Sequence, residues 1–199
     1  MVHGGPNDDT KVAGKKITVV GEIGIKGIVQ AAVKFIFDKT AVAKDTKSTT
    51  GDRAHAATTG YRAHAATTGY GAHAATTGYE AHAATTGDRA HAATTGYLAH
   101  AATTGYRAHA ATTGDRAHAA TTGYGAHAAV SGDQSIAAAL GIEGRVKGAL
   151  GSFLVCADWR WNGRKYELHG VKTAQVDGET ILPDTWYEVK DGEFVRCEE

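Results

Sequence analysis

The chain has 199 residues, 42% of them hydrophobic, but alanine inflates that share, so bulky core residues gather only outside the alanine-rich middle. Lysine and arginine total 21 against 21 aspartates and glutamates, a balance that argues against a nucleic-acid-coating protein and equally against an acidic mimic of DNA. No apolar run reaches the roughly 18 residues of a membrane span, and two cysteines, Cys156 and Cys197, do not make a disulfide framework.

Residues 1–48 are expected to form an N-terminal strand and a capping helix. The first nine lack the basic-then-apolar order of a secretory signal and are expected to be either an appended end or a truncated upstream segment. A cytoplasmic, reducing setting follows from that and from the sparse cysteines. Lys15 to Val20 is a short strand. Gly24 to Asp38 has helical spacing, with Ile25, Ile28, Val29, Ala32, Val33 and Ile36 on one face and Lys26, Gln30 and Lys34 away from it. Such a helix could serve as a membrane-surface anchor or bind a partner, but it reads better as a cap that lays its apolar face over the first coil and covers open strand edges.

Residues 49–147 are a repeat array. From Thr49 to Ala129 the chain writes Thr-Thr-Gly-(Tyr or Asp)-x-Ala-His-Ala-Ala in succession, and two looser copies trail behind. A period this strict means one small unit stacked on copies of itself, with decayed copies at the end of the stack. Paired β-branched residues followed by glycine make poor helix. Arg53-Ala54-His55-Ala56 alternates large polar with small apolar residues, as a strand does, putting Ala54 and Ala56 inside and Arg53 and His55 outside. The glycine marks a corner. The fifth position takes Arg, Glu, Leu or Gly and therefore faces water. The expected fold is mainly β, a β-solenoid. Two repeats per coil give a flattened roll and three give a triangular prism; alanine interiors favour the thinner roll, although the order of Asp and Tyr does not decide between them.

Residues 148–199 are expected to form a small antiparallel β module closing the far end. Ser152 to Trp161 reads as a strand. Asn162-Gly163, Asp177-Gly178 and Asp191-Gly192 read as hairpin turns, and Pro183 breaks a strand after Leu182. The three tryptophans, Trp159, Trp161 and Trp186, lie here.

The flanks carry a resemblance. Asp8-Asp9-Thr10-Lys11-Val12-Ala13-Gly14-Lys15-Lys16-Ile17 and Gly21-Glu22-Ile23-Gly24-Ile25 resemble a stretch in uncharacterised repeat proteins of Firmicutes and their prophages. Val176-Asp177-Gly178-Glu179-Thr180-Ile181, Asp184-Thr185-Trp186-Tyr187 and Asp191-Gly192-Glu193-Phe194-Val195 look like the end of the same proteins. The resemblance implies a phage or prophage setting, in a bacterial host or a virion, and supplies no activity.

Candidate binding residues are the array histidines His55, His64, His73, His82, His91, His100, His109, His118 and His127, with Tyr61, Tyr70, Tyr79, Tyr97, Tyr106 and Tyr124 at the corners. In a two-repeat coil the histidines form a ladder on each face at about 4.8 Å, and their pKa values are expected to fall as neighbours repel. Imidazole suits zinc or nickel, but a flat ladder offers two ligands in line where a structural site wants four in a tetrahedron. Calcium would need an acidic residue in each unit, and most units carry tyrosine there. Ranks of threonine raise ice binding. No phosphate loop or nucleophile elbow is present, and Cys156 and His169 stand apart from any site. Trp159-Arg160-Trp161 with Arg164 and Lys165 could stack and clamp a nucleic acid strand, though the pattern reads better as part core and part solvated face. The sequence thus points to a non-enzymatic repeat protein with no cofactor, presenting tyrosine, arginine and histidine to a protein partner or to its own copies, or serving as a spacer. The alternatives are a histidine array binding metal or a small ligand, and an ice-binding protein.

Overall fold

A computed structural model describes residues 46–197, so the expected N-terminal strand and capping helix lie outside the described residues. The array forms β1 (Thr46–Thr50), β2 (His55–Thr59), β3 (His64–Thr68), β4 (His73–Thr77), β5 (His82–Thr86), β6 (His91–Thr95), β7 (His100–Thr104), β8 (His109–Thr113), β9 (His118–Thr122) and β10 (His127–Val130). The looser copies form β11 (Ile136–Ala139) and β12 (Arg145–Lys147), and then come β13 (Phe153–Trp161), β14 (Tyr166–Gln175), β15 (Tyr187–Lys190) and β16 (Glu193–Arg196). The described part is a β-solenoid of about six turns, without a helix.

Two repeats make one coil. Odd strands pair in parallel in the order β1-β3-β5-β7-β9-β11-β13, and even strands do so from β2 to β12. Register advances by two repeats at each step, as in His64 opposite His82 and Thr67 opposite Thr85. Two sheets thus face each other across a thin interior.

Period-two alternation sets what fills that interior. Ala63, Ala65 and Thr67 and their equivalents turn inward, with exposures of 0–3% across that coil side and the next, while His64, Ala66 and Thr68 turn outward. The inward alanines match expectation. The inward threonine is the further consequence of the same alternation, and it leaves Thr58, Thr67, Thr76, Thr85, Thr94, Thr103, Thr112 and Thr121 with buried hydroxyls lacking a hydrogen-bond partner among the described residues.

Alanine buries little apolar area per coil, so the backbone ladder carries much of the order. It continues around the corners: Gly60 N donates to Thr77 O at 2.9 Å, and Arg62 N donates to Tyr79 O at 2.8 Å. Two corner positions need special backbone. The repeat glycine has φ near +140°, and a Cβ on Gly78 would lie 2.0 Å from the carbonyl oxygen of Gly60, one coil back. The fifth position is left-handed as well: Arg62 has φ 58°, Glu80 51° and Leu98 55°. The sequence reading took that position only as solvent-facing. It is also the turn residue that completes the corner.

The C-terminal strands make the expected antiparallel hairpins, but these do not form one separate sheet. β13 adds in parallel to β11, with Leu154 opposite Ala137, and β14 returns antiparallel to it through Asn162-Gly163. On the other face β15 runs antiparallel to β12 and turns into β16 at Asp191-Gly192. Asp177-Gly178 is not a hairpin, and no strand runs through Leu182 to Pro183: residues 176–186 form a loop. Asp177 Oδ1 accepts the backbone N–H groups of Glu179, Thr180 and Ile181, each at 2.9 Å. That loop buries Val176 and Ile181 beside Tyr187 in the alanine-cored cluster. Larger side chains thus fill the far end of the interior, where Val146 and Leu154 stand at inward positions held elsewhere by alanine.

Candidate functional site

Each broad face presents three outward ranks: histidine, alanine and threonine. His55, His73, His91, His109 and His127 belong to one sheet, and His64, His82, His100 and His118 to the other. The rings stack one coil apart, His73 on His91 at 4.8 Å and 4° and His82 on His100 at the same spacing and tilt. The spacing is the one the sequence implied. No histidine of the array is buried.

Stacking also limits what the ladders can ligate. The lone pair of an imidazole lies in its ring plane, so parallel rings aim their nitrogens side by side rather than at a shared point. Among the described residues no three His, Cys, Asp or Glu side chains converge to hold a metal ion. Partial burial is the first cause lowering the pKa values of His82, His91 and His100, with neighbouring imidazoles second. From the sequence only the neighbouring charges are visible as a cause.

At the far end of its ladder His127 breaks the pattern. Its ring meets His109 edge-on at 4.7 Å and 80°, and leans on Trp186 at 5.1 Å. Partial burial, then His109, Arg145 and Arg107, bring its pKa down to about 4.

The two edges of the roll carry tyrosine and arginine. Tyr61, Tyr70, Tyr79, Tyr97, Tyr106 and Tyr124 are 36–46% exposed. Tyr61 stacks on Tyr79 at 5.3 Å, Tyr79 on Tyr97 at 5.5 Å, and Tyr106 on Tyr124 at 5.8 Å. Arg62, Arg107 and Arg116 lie over Tyr61, Tyr106 and Tyr97, with centroid distances of 5.1, 5.1 and 5.7 Å. Stacking holds these side chains extended along the edge, which reduces the entropy a partner must remove on binding.

The residues singled out after the array do not meet in one place. The Cys156 thiol lies 3.3 Å from Gly144 O, and burial pushes it up to about 11, away from thiolate character. Arg160 is taken up by Asp158 through a fork with a 2.6 Å arm, which withdraws the guanidinium from a nucleic acid clamp. Trp159 donates its indole N–H to Leu140 O at 3.1 Å, whereas Trp161 is exposed beside Tyr166.

One feature of the edge is invisible in the repeat consensus. Where the fifth position falls to Gly125, a cleft of about 290 Å³ opens between the corner and the histidine rank. Its lining includes Arg107, His109, His127 and Arg145. Glycine among larger residues at position five was the available signal.

No family model, curated protein or solved structure compared with the chain matches it.

Proposed function

We propose that this protein is a non-enzymatic repeat scaffold that presents its tyrosine and arginine edges to a macromolecular partner, with the roll as a stiff spacer. The observation that carries this reading is the row of stacked, exposed tyrosines bracketed by guanidinium groups. Tyrosine and arginine are the side chains over-represented where binding energy concentrates, and here they are repeated at the coil spacing along one line. The resemblance of the flanks supports a phage or prophage setting. The experiment is quantitative capture from host extract by the full chain and by a Tyr61→Ser, Tyr79→Ser, Tyr97→Ser variant. A partner held by the first and lost by the second supports the reading. Equal capture by both, or capture by neither, ends it.

A second reading has its own observation. The outward threonines form a regular rank on each face beside exposed alanines, and Thr113 Oγ1 lies 3.1 Å from Thr95 Oγ1 one coil back. A flat threonine rank of this kind could order water as an ice-binding face does. Thermal hysteresis, measured with the full chain, decides it.

A further inference from the structure

We propose that the cleft at Gly125 is a binding site for a small phosphate-bearing ligand. Three successive coils build it. On the corner, Arg107, Gly125 and Glu143 follow one another at the fifth position of the repeat; on the adjoining face, His109, His127 and Arg145 follow one another in register. Gly125 contributes the space. A Cβ there would sit 3.4 Å from Arg107 Cγ, so any longer side chain must share the volume with that arginine.

The charges converge. Arg107 and Arg145 form no ion pair among the described residues, so both guanidinium groups that border the cleft are free of a direct carboxylate contact. Glu143 is the one acidic group in the lining: Tyr124 donates its hydroxyl to Glu143 Oε1 at 2.5 Å and Tyr166 approaches the same atom at 3.4 Å, and since these donors are neutral the lining sets two positive charges against one negative. The excess positive charge is felt inside the site, where the same two arginines help to disfavour a proton on His127. Neutral imidazoles still offer N–H donors.

This donor set selects the ligand class. Two arginine forks and two imidazoles lining one cleft fit an oxyanion with several acceptor directions better than a planar carboxylate, which one fork satisfies. The volume exceeds that of a bare phosphate and leaves room for a small substituent. It falls at the low end for ligand pockets, which suits a small guest.

The test is an NMR titration of the full chain with inorganic phosphate and with glycerol phosphate, at constant ionic strength against chloride. Saturable shifts at Gly125, His109 and His127 with either probe are expected. Gly125→Leu should abolish them while leaving the fold intact, because Leu98 already holds the same left-handed corner position at φ 55°. Arg145→Gln should weaken binding about tenfold, as expected for one charged hydrogen bond. Gly71→Leu fills the other glycine corner of the array and should change nothing. Absence of saturable shifts with both probes, undiminished binding in Gly125→Leu and Arg145→Gln, or equal loss in Gly71→Leu would each overturn the assignment.

Discussion

Asp88 Oδ1 accepts the peptide N–H of Tyr106, one coil further along, at 3.0 Å. Asp115 does the same for Asp133 N at 2.9 Å. The choice of Tyr or Asp at the fourth position is therefore a choice between two inter-coil links, a ring stack or a side-chain hydrogen bond to the next corner. Asp88→Ala removes the link and should cost about 1 kcal/mol in urea unfolding. Asp88→Tyr exchanges one link for the other, since Tyr70 and Tyr106 flank the site, and should leave the midpoint nearly unchanged. A loss in D88Y as large as in D88A would show that the exchange fails.

Much of this architecture was legible in the repeat. Ala54-type and Ala56-type residues going inside, and histidines laddering at the coil spacing, follow from alternation alone. The inward threonine follows too: once Ala56 faces in, so does Thr58, two residues on. The left-handed fifth position left a fainter trace, because Arg, Glu, Leu and Gly occur there in the strict copies but no β-branched residue does. The Asp177 loop was not legible. An Asp-Gly step reads as a hairpin unless one knows that Val176 and Ile181 are needed inside the open end of the roll. The Gly125 cleft was hidden for a related reason: it depends on which side chains stand one coil above and below.

Gly96→Ala should be among the most damaging single changes available. The glycine has φ 144°, and a Cβ would lie 2.0 Å from the Gly78 carbonyl oxygen. Backbone strain and a clash with neighbouring backbone act together, and a loss of about 3–5 kcal/mol is expected. Arg89→Gly, at the left-handed position seven residues earlier, should go the other way by about 1 kcal/mol, apart from the arginine's stacking on Tyr70. Thermal unfolding of the two variants side by side checks both signs.

Thr94→Val tests the interior. The Thr94 hydroxyl is buried and without a partner among the described residues, and Val130 already occupies the equivalent inward place at 2% exposure. Replacing an unpaired hydroxyl by a methyl removes its desolvation penalty and should stabilise the roll by about 1 kcal/mol. Destabilisation on this substitution would mean that the inward threonines satisfy one another in solution.

Acid should weaken the roll, and His127 should account for more of the effect than any other array histidine. Its folded pKa, about 4, lies below the ordinary 6.5, so the folded state holds the neutral ring and the unfolded chain takes up the proton first. The stabilisation is complete above about pH 6.5 and is lost as pH falls from there towards 4, below which this group has nothing further to lose. Burial against Trp186, then His109, Arg145 and Arg107, set the shift, while His82, His91, His100 and His109 add smaller losses of the same sign. Melting temperature measured across this window should fall with acid, and His127→Gln should flatten the slope without abolishing it. An unchanged slope in the variant would mean that the His127 ring is solvated and free to protonate in the folded protein.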